Sequence, residues 1–283
     1  GLVKRIRLRT QKCQKGTESM GFLKKTWRFR NAIEVIEYHT ARYGAPGQGR
    51  VKRKKPTPEE MEKVNQRNRE RVARHRLREH FEVNDYLVTL TYKKDLRPPD
   101  MDTAKGHFGN EFLKTVRREY RKKGYEVKWL RNIEVGTKNG WHIHVVINRI
   151  PDADLIIRKA WKYGKVDIRH LEADGEFRDL AAYITKTPKT DNRPGVPLCK
   201  SYAHSRNLPI PEPEKKEYHR WKTWKDIKVP KGYYLDKTAF FEGINPVTGH
   251  KLRSYTLLRL EHQQQEGERN ILKDRKKNRK RNP

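Results

Sequence analysis

Cysteine is nearly absent. The 283 residues hold two, Cys13 and Cys199, far apart and in no C-x-x-C pair, which argues against a disulfide framework or a thiolate zinc site and suits a reducing, cytoplasmic setting. No apolar run approaches the roughly 18 residues that cross a bilayer, and the first residues carry no signal-peptide apolar core. A soluble protein that is not exported is therefore expected. Acidic residues are scarce beside basic ones, 35 Asp and Glu against 67 Lys and Arg, for a net charge of +32. Such a surplus calls for an acidic partner, and a nucleic-acid backbone is the first candidate. Hydrophobic residues make up only 34% of the chain, yet 10% of it is aromatic. Some segments should therefore pack while others stay loose.

The charge is unevenly spread. Residues 1–80 hold 23 basic and 8 acidic side chains, 81–200 hold 24 and 17, and 201–283 hold 20 and 10. The middle stretch has the least bias and the clearest periodicity, so the expected catalytic domain is 81–200. Around it lie a basic region at 1–80, with a linker and a charged helix, and a basic, aromatic region at 201–283. Gly44–Pro58 reads as the linker, because glycine and proline break regular structure and its clustered cations repel. Thr57 or Pro58 opens a helix over 59–80 with few apolar anchors, either a solvated helix along a phosphate backbone or a charged helix that binds nothing. The stretch from Arg269 to Pro283 reads as a basic tail adding salt-sensitive affinity.

In the middle stretch, Tyr86–Tyr92 (YLVTLTY) is β-branched and aromatic, a strand closed by Pro98-Pro99. Phe108, Phe112, Val116 and Tyr120 recur at spacing four and predict a helix ending near Gly124. Val127, Trp129, Ile133 and Val135 alternate with Lys128, Leu130, Asn132 and Glu134 as a second strand. After Gly136–Gly140, Trp141, Ile143, Val145 and Ile147 alternate with His142, His144, Val146 and Asn148 as a third. A helix from Asp154 to Trp161, capped near Asp152 or Asp154, a strand from Val166 to Leu171, and a helix burying Phe177, Leu180, Ala181 and Ile184 from a start near Asp174-Gly175 complete the stretch. Tyr183 and Lys186, three apart, project from neighbouring turns of that last helix.

Register carries the chemistry. If Val135 pairs with Trp141, Glu134 faces His142 and Asn132 faces His144, all four on one sheet face, with opposed Cβ atoms roughly 4.5–5.5 Å apart. One carboxylate and two imidazoles then lie in reach of a single divalent ion with positions open for substrate, a set suiting Mg2+ or Mn2+ better than a closed zinc site. A one-residue slip would send Glu134 to the other face.

A His-x-His pair alone is weak evidence, and Tyr-x-x-Lys, which also occurs at Tyr120, Tyr125 and Tyr234, is weaker still. Their conjunction on a hairpin and a following helix is what points to a site. Tyr234, with Lys237, is the reserve nucleophile. The segment Gly140–Ile147 (GWHIHVVI) resembles the His-hydrophobic-His motif of the HUH endonucleases, specifically the replication initiators of rolling-circle plasmids and single-stranded DNA phages. Tyr86–Tyr92 looks like their first motif and Ala182–Lys186 (AYITK) like their third, over about residues 81–190. The order of these motifs is that of the initiators, whereas conjugative relaxases usually place the tyrosine first.

The resemblance implies an α+β fold, a central antiparallel sheet in an RRM-like palm flanked by helices, here with basic N- and C-terminal extensions. It implies His142 and His144 as metal ligands with Glu134 as the third, Mg2+ or Mn2+ as cofactor, and Tyr183 as the nucleophile that leaves a 5′-phosphotyrosine and a free 3′-hydroxyl. Lys186 would favour the phenolate or hold the phosphate. A single motif tyrosine departs from the paired-tyrosine initiators; a second protomer could supply the later cleavage. The chain contains no G-x-x-x-x-G-K-[ST] loop, so a host helicase and a polymerase are expected partners, beside single-stranded DNA and duplex origin DNA, with no membrane. Two rivals stay open: a single-strand DNA transposase of the same superfamily, and a non-enzymatic basic nucleic-acid binder in which the histidines are incidental. In 201–283, Ser205-Arg206-Asn207 and the aromatics Trp221, Trp224, Tyr233, Tyr234, Phe240 and Phe241 among lysines suit base stacking or a small core.

Overall fold

The computed structural model describes residues 21–39, 57–136, 139–171, 177–186, 201–218, 224–245 and 249–260. The linker at 44–56, the tail at 269–283, Trp221 and the helix start at Asp174-Gly175 lie outside them. The fold is α+β, with two five-stranded antiparallel sheets. The chain divides into two compact units, one formed by residues 62–210 and one by 1–61 together with 211–283. These bounds differ from the three stretches read along the sequence, because strands from both ends of the chain share one sheet and because most of the charged helix joins the middle unit.

The middle unit runs α1 (Pro58–His80), β3 (Tyr86–Tyr92), α2 (Met101–Gly106), a π-helical segment (His107–Phe112), α3 (Leu113–Lys122), β4 (Trp129–Val135), β5 (Trp141–Ile147), α4 (Ala153–Ala160), β6 (Gly164–His170), α5 (Arg178–Thr185) and β7 (Tyr202–His204), following β1 (Phe22–Arg28) and β2 (Ala32–His39) in the other unit. Its sheet order is β6-β3-β5-β4-β7. The first four of these strands with the helices between them form a split β-α-β-β-α-β arrangement with β3 and β5 at its centre.

Alternation sorts the two faces. Tyr86, Val88, Leu90 and Tyr92 of β3 join Ile133 and Val135 of β4 and Trp141, Ile143, Val145 and Ile147 of β5 in one core with Phe108, Phe112, Val116 and Tyr120. The spacing-four stripe is therefore the buried face of the helical run, although the helix begins earlier, at Met101, where Asp100 caps it by accepting from the Thr103 amide at 2.7 Å. Gly124, at φ 81°, ends it in the left-handed conformation that costs glycine least. Asp152 stands in the cap position of α4 but makes no side-chain cap; its carboxylate binds Lys123 at 2.7 Å instead.

One charge sits on this apolar face. Arg131 is buried, its guanidinium 5.3 Å from the Phe108 ring centre and donating to the Ser201 carbonyl at 2.7 Å. Burial pulls its pKa down to about 10.

On the opposite face, Leu130 and Val146 pack with Ala73 and Leu77 of α1, with Phe81, and with Phe177, Ala181 and Ile184 in and before α5. Thr57 and Glu60 form a reciprocal capping box at the start of α1, amide to carboxylate at 2.9 Å and amide to hydroxyl at 3.2 Å.

The second unit adds β8 (Glu214–Tyr218), β9 (Tyr233–Ile244) and β10 (Lys251–Arg259), in the order β8-β1-β2-β10-β9. Ile33, Val35, Leu235, Tyr255 and Leu257 form its largest apolar cluster. Arg253 and Glu37 are paired inside it, Nε to Oε2 at 2.7 Å, with Arg253 also 5.6 Å from the Trp224 ring centre.

Candidate functional site

The β4–β5 pairing sets Val135 opposite Trp141, Glu134 opposite His142 and Asn132 opposite His144. β3 extends the same rows, Thr91 opposite His142 and Thr89 opposite His144, and β6 closes them with Lys165 and Asp167. The face thus reads as three cross-strand rows. Leu130, Val146 and Leu87 make an apolar row under α1 and α5; Asn132, His144 and Thr89, then Glu134, His142 and Thr91, make two polar ones.

Within these rows the side chains interlock. Thr89 Oγ1 lies 3.2 Å from His144 Nδ1, and Thr91 Oγ1 lies 3.1 Å from His142 Nδ1. Each imidazole therefore has its Nδ1 engaged by a threonine, which fixes ring orientation and directs Nε2 to its other neighbours. Glu134 Oε2 is 3.2 Å from His144 Nε2. The two imidazoles lie nearly parallel, 21° apart with centroids at 6.2 Å. A Cβ added at Gly140 would stand 3.4 Å from His142 Nε2, so the small residue before β5 leaves that ring its place.

Tyr183 enters from α5. Ala181 and Ile184 of that helix are buried in the apolar cluster, which turns the tyrosine toward the polar rows. Its hydroxyl lies 3.0 Å from both ring nitrogens of His144. His144 is 8% exposed and Tyr183 41%, so a buried imidazole meets a phenol open to solvent. Burial lowers the His144 pKa, aided by the neighbouring His142 and opposed by the Glu134 carboxylate. Burial, reinforced by Glu134 and eased by Arg169, raises that of Tyr183. A neutral imidazole beside a protonated phenol is the resting state this describes.

Lys186 lies just beyond the helix rather than on it, since α5 ends at Thr185 and Lys186 is the extended C-cap. Its carbonyl accepts from Asn132 Nδ2 at 2.9 Å, which ties the residue after the nucleophile helix to the row of His144. Its ammonium group is exposed and makes no hydrogen bond to Tyr183 among the described residues. Tyr234 belongs to the second sheet, packed near Trp27, Phe29 and Leu258. It is thus in a different unit from the histidines.

Among the described residues no three His, Cys, Asp or Glu side chains are gathered closely enough to form a ready-made metal cluster. The donor chemistry nevertheless fits a divalent ion: Glu134 and His144 already converge, His142 shares their face, and each histidine has the oriented Nδ1 typical of an imidazole ligand. Asn132 adds a buried Oδ1 with no hydrogen-bond partner among the described residues.

Thr89, Thr91 and Asn132 are the residues that motif reading passed over as candidates. A signal for the threonines was present, since the alternation of Tyr86–Tyr92 puts both on the face of His142 and His144. For Asn132 there was only its place opposite His144.

Residues 85–188 match a family model described as replication-associated protein, of the ORF2 kind. The match supports a replication initiator. It spans β3 through α5, and so takes in both threonines, Glu134, the histidines, Tyr183 and Lys186. No curated protein and no solved structure matches the chain.

Proposed function

We propose that this replication-associated chain is an HUH-type nicking enzyme, an initiator that cuts single-stranded DNA at an origin by tyrosine transesterification and can rejoin the ends. The observation that carries the reading is the 3.0 Å approach of the Tyr183 hydroxyl to His144, residues 39 apart in the chain. A tyrosine half open to solvent, held over an imidazole–carboxylate pair, suits covalent attack on a phosphodiester.

The Tyr183 oxygen forms a bond to phosphorus as the bond from phosphorus to the 3′-oxygen breaks. The phenolic proton is given up and the departing 3′-oxygen takes one on, leaving a 5′-phosphotyrosine and a free 3′-hydroxyl. One phosphodiester replaces another, so reversal needs no external energy. Glu134, His142 and His144 would hold the divalent ion, Mg2+ or Mn2+, which supplies charge stabilisation at a non-bridging phosphate oxygen. Thr89 and Thr91 orient the imidazoles, and Lys186 stands near the nucleophile as a free cation for phosphate.

The test is covalent capture. The protein is incubated with a pool of 3′-labelled single-stranded oligonucleotides and Mn2+, and label is sought on protein after denaturing electrophoresis. Adduct is expected for the native chain and none for Tyr183→Phe, which should still bind DNA; replacing His142 and His144 by Ala should abolish the metal dependence. Binding without adduct, from a pool containing the origin, would favour the plain nucleic-acid binder. Capture confined to hairpin-bearing element ends would favour the transposase.

A further inference from the structure

Helix α1 changes character along one face. Ala73 and Leu77 on its C-terminal half are fully buried against the sheet. One and two turns earlier, the positions that continue this stripe are Glu70, Gln66 and Glu62, at the spacing that keeps residues on one helix face. An apolar stripe becomes polar where the helix passes Tyr183.

A cleft of about 730 Å3 opens there, walled by α1 on one side and by Tyr183 and Lys186 on the other. Gln66 spans its floor, with Nε2 3.4 Å from both the carbonyl and the hydroxyl of Thr185 at the end of the nucleophile helix. The two acids of the stripe are already engaged. Glu62 is bound by Arg69 at 2.6 Å, and Glu70 accepts from Gln66 at 2.9 Å. The cations are not: Lys63, Arg67 and Lys186 are exposed and carry no side-chain ion pair or hydrogen bond among the described residues. Lys63 and Arg67 are one helical turn apart, about 6 Å along the axis.

We infer that this cleft is the track for the DNA strand beside the scissile bond, with Lys63 and Arg67 each taking a backbone phosphate next to the one that Tyr183 attacks. The inference rests on the nicking reading above and adds a strand-binding element outside residues 85–188. Polar walls, neutralised acids and three free cations select a polyanion over an apolar ligand. A cleft open along its length admits a single strand and places its backbone within reach of the tyrosine. Contact with phosphates carries no base preference, so α1 sets the position of the strand and not the sequence that is cut.

The experiment uses the full chain with Tyr183→Phe, so that binding is measured without cutting. Affinity for a labelled single-stranded oligonucleotide is followed across salt concentration for this protein, for its Lys63→Gln and Arg67→Gln double variant, and for a Lys114→Gln and Arg117→Gln double variant. The last removes the same charge from exposed positions on α3, which packs on the opposite sheet face. Glutamine keeps helix propensity, and unchanged thermal melts confirm the fold. Loss of two phosphate contacts from a single strand should make the log–log salt slope shallower by about 1.4 in the cleft variant. At low salt its affinity should drop about tenfold, with a much smaller change for the α3 variant. Equal shifts in the two variants, or none in the cleft variant, would overturn the inference and reduce α1 to bulk charge. Because this readout needs no adduct, a changed slope in a protein whose Tyr183-bearing form never captures DNA would remove the nicking reading while leaving the cleft as a strand-binding site. Adduct formation with an unchanged slope would do the reverse.

Discussion

A threonine hydroxyl on Nδ1 is what makes each histidine of the site a directed donor. Thr89→Val keeps the shape and the strand propensity but removes the hydroxyl. The Mn2+ concentration for half-maximal adduct formation should rise about ten- to hundredfold, the usual cost of losing an outer partner of a metal-ligating imidazole, while the melting temperature stays nearly the same. Asp85, just before β3, gives a pH prediction of a different kind. Its carboxyl accepts from the backbone N–H groups of Glu82 and Arg149, at 2.8 and 2.7 Å. Burial nonetheless raises its pKa above 3.8, outweighing the pull of those two bonds. The folded state then holds a proton that the unfolded chain releases. The Asp85 contribution to stability should fall as pH rises from about 3.8 through the raised value and level off above it. Subtracting the urea unfolding free energies of Asp85→Asn from those of the native chain, pH by pH, should reveal this decline; a flat difference would show that burial does not govern the group. His142, His144, Glu134 and Tyr183 could be read from the sequence because strand alternation has a period of two and the hairpin loop leaves little choice of register. Arg131 could not, since nothing local marks a guanidinium destined for the apolar face, held there by a ring and a carbonyl from distant segments.

At the scale of elements, α1 shows how few apolar residues seat a helix. Its sequence between Glu59 and His80 reads as solvated, yet Ala73 and Leu77 reach zero exposure in the cluster that also receives α5. Leu77→Ala should therefore cost about 2–5 kcal/mol in chemical denaturation of the protein, the range for a large-to-small change in a packed core. A change below about 1 kcal/mol would mean that the helix is only loosely seated. The strands and the α2–α3 helical run were legible because each declares itself within about ten residues, in alternation or in a stripe at spacing four. The docking of α1 was not, because its anchors make a stripe only two turns long inside a run of charge. The end of α5 at Thr185 was hidden for a similar reason: the Asn132 amide that holds the Lys186 carbonyl comes from 54 residues away.

For the molecule as a whole, the consequence of two cores is two sources of stability. Glu37 and Arg253 are paired in the unit built from the chain ends, with side chains 5% and 8% exposed. Glu37→Gln would leave a buried guanidinium without its counter-charge, a loss of about 3–5 kcal/mol. Calorimetry of the native chain should depart from a single two-state transition, and this substitution should lower only one component. A uniform shift of the whole profile would show that the units unfold as one. None of this second sheet was apparent from the sequence, where the surplus of cations at both ends suggested binding regions. Pairing between β2 and β10 joins residues more than 200 positions apart, as in Tyr38 with Leu252, and leaves no local pattern.

That same pairing sets an order of manufacture. On a ribosome adding about 5–20 residues each second, β1 and β2 emerge roughly 10–40 s before β10. During that interval the strands of the middle unit are all translated, while the early hairpin still presents bare edges to the cell. Translation that stalled near residue 210 would release a chain with every strand of the inner sheet beside an unfinished outer one, open to pairing with other chains. For this protein the first segment made is among the last to find its place.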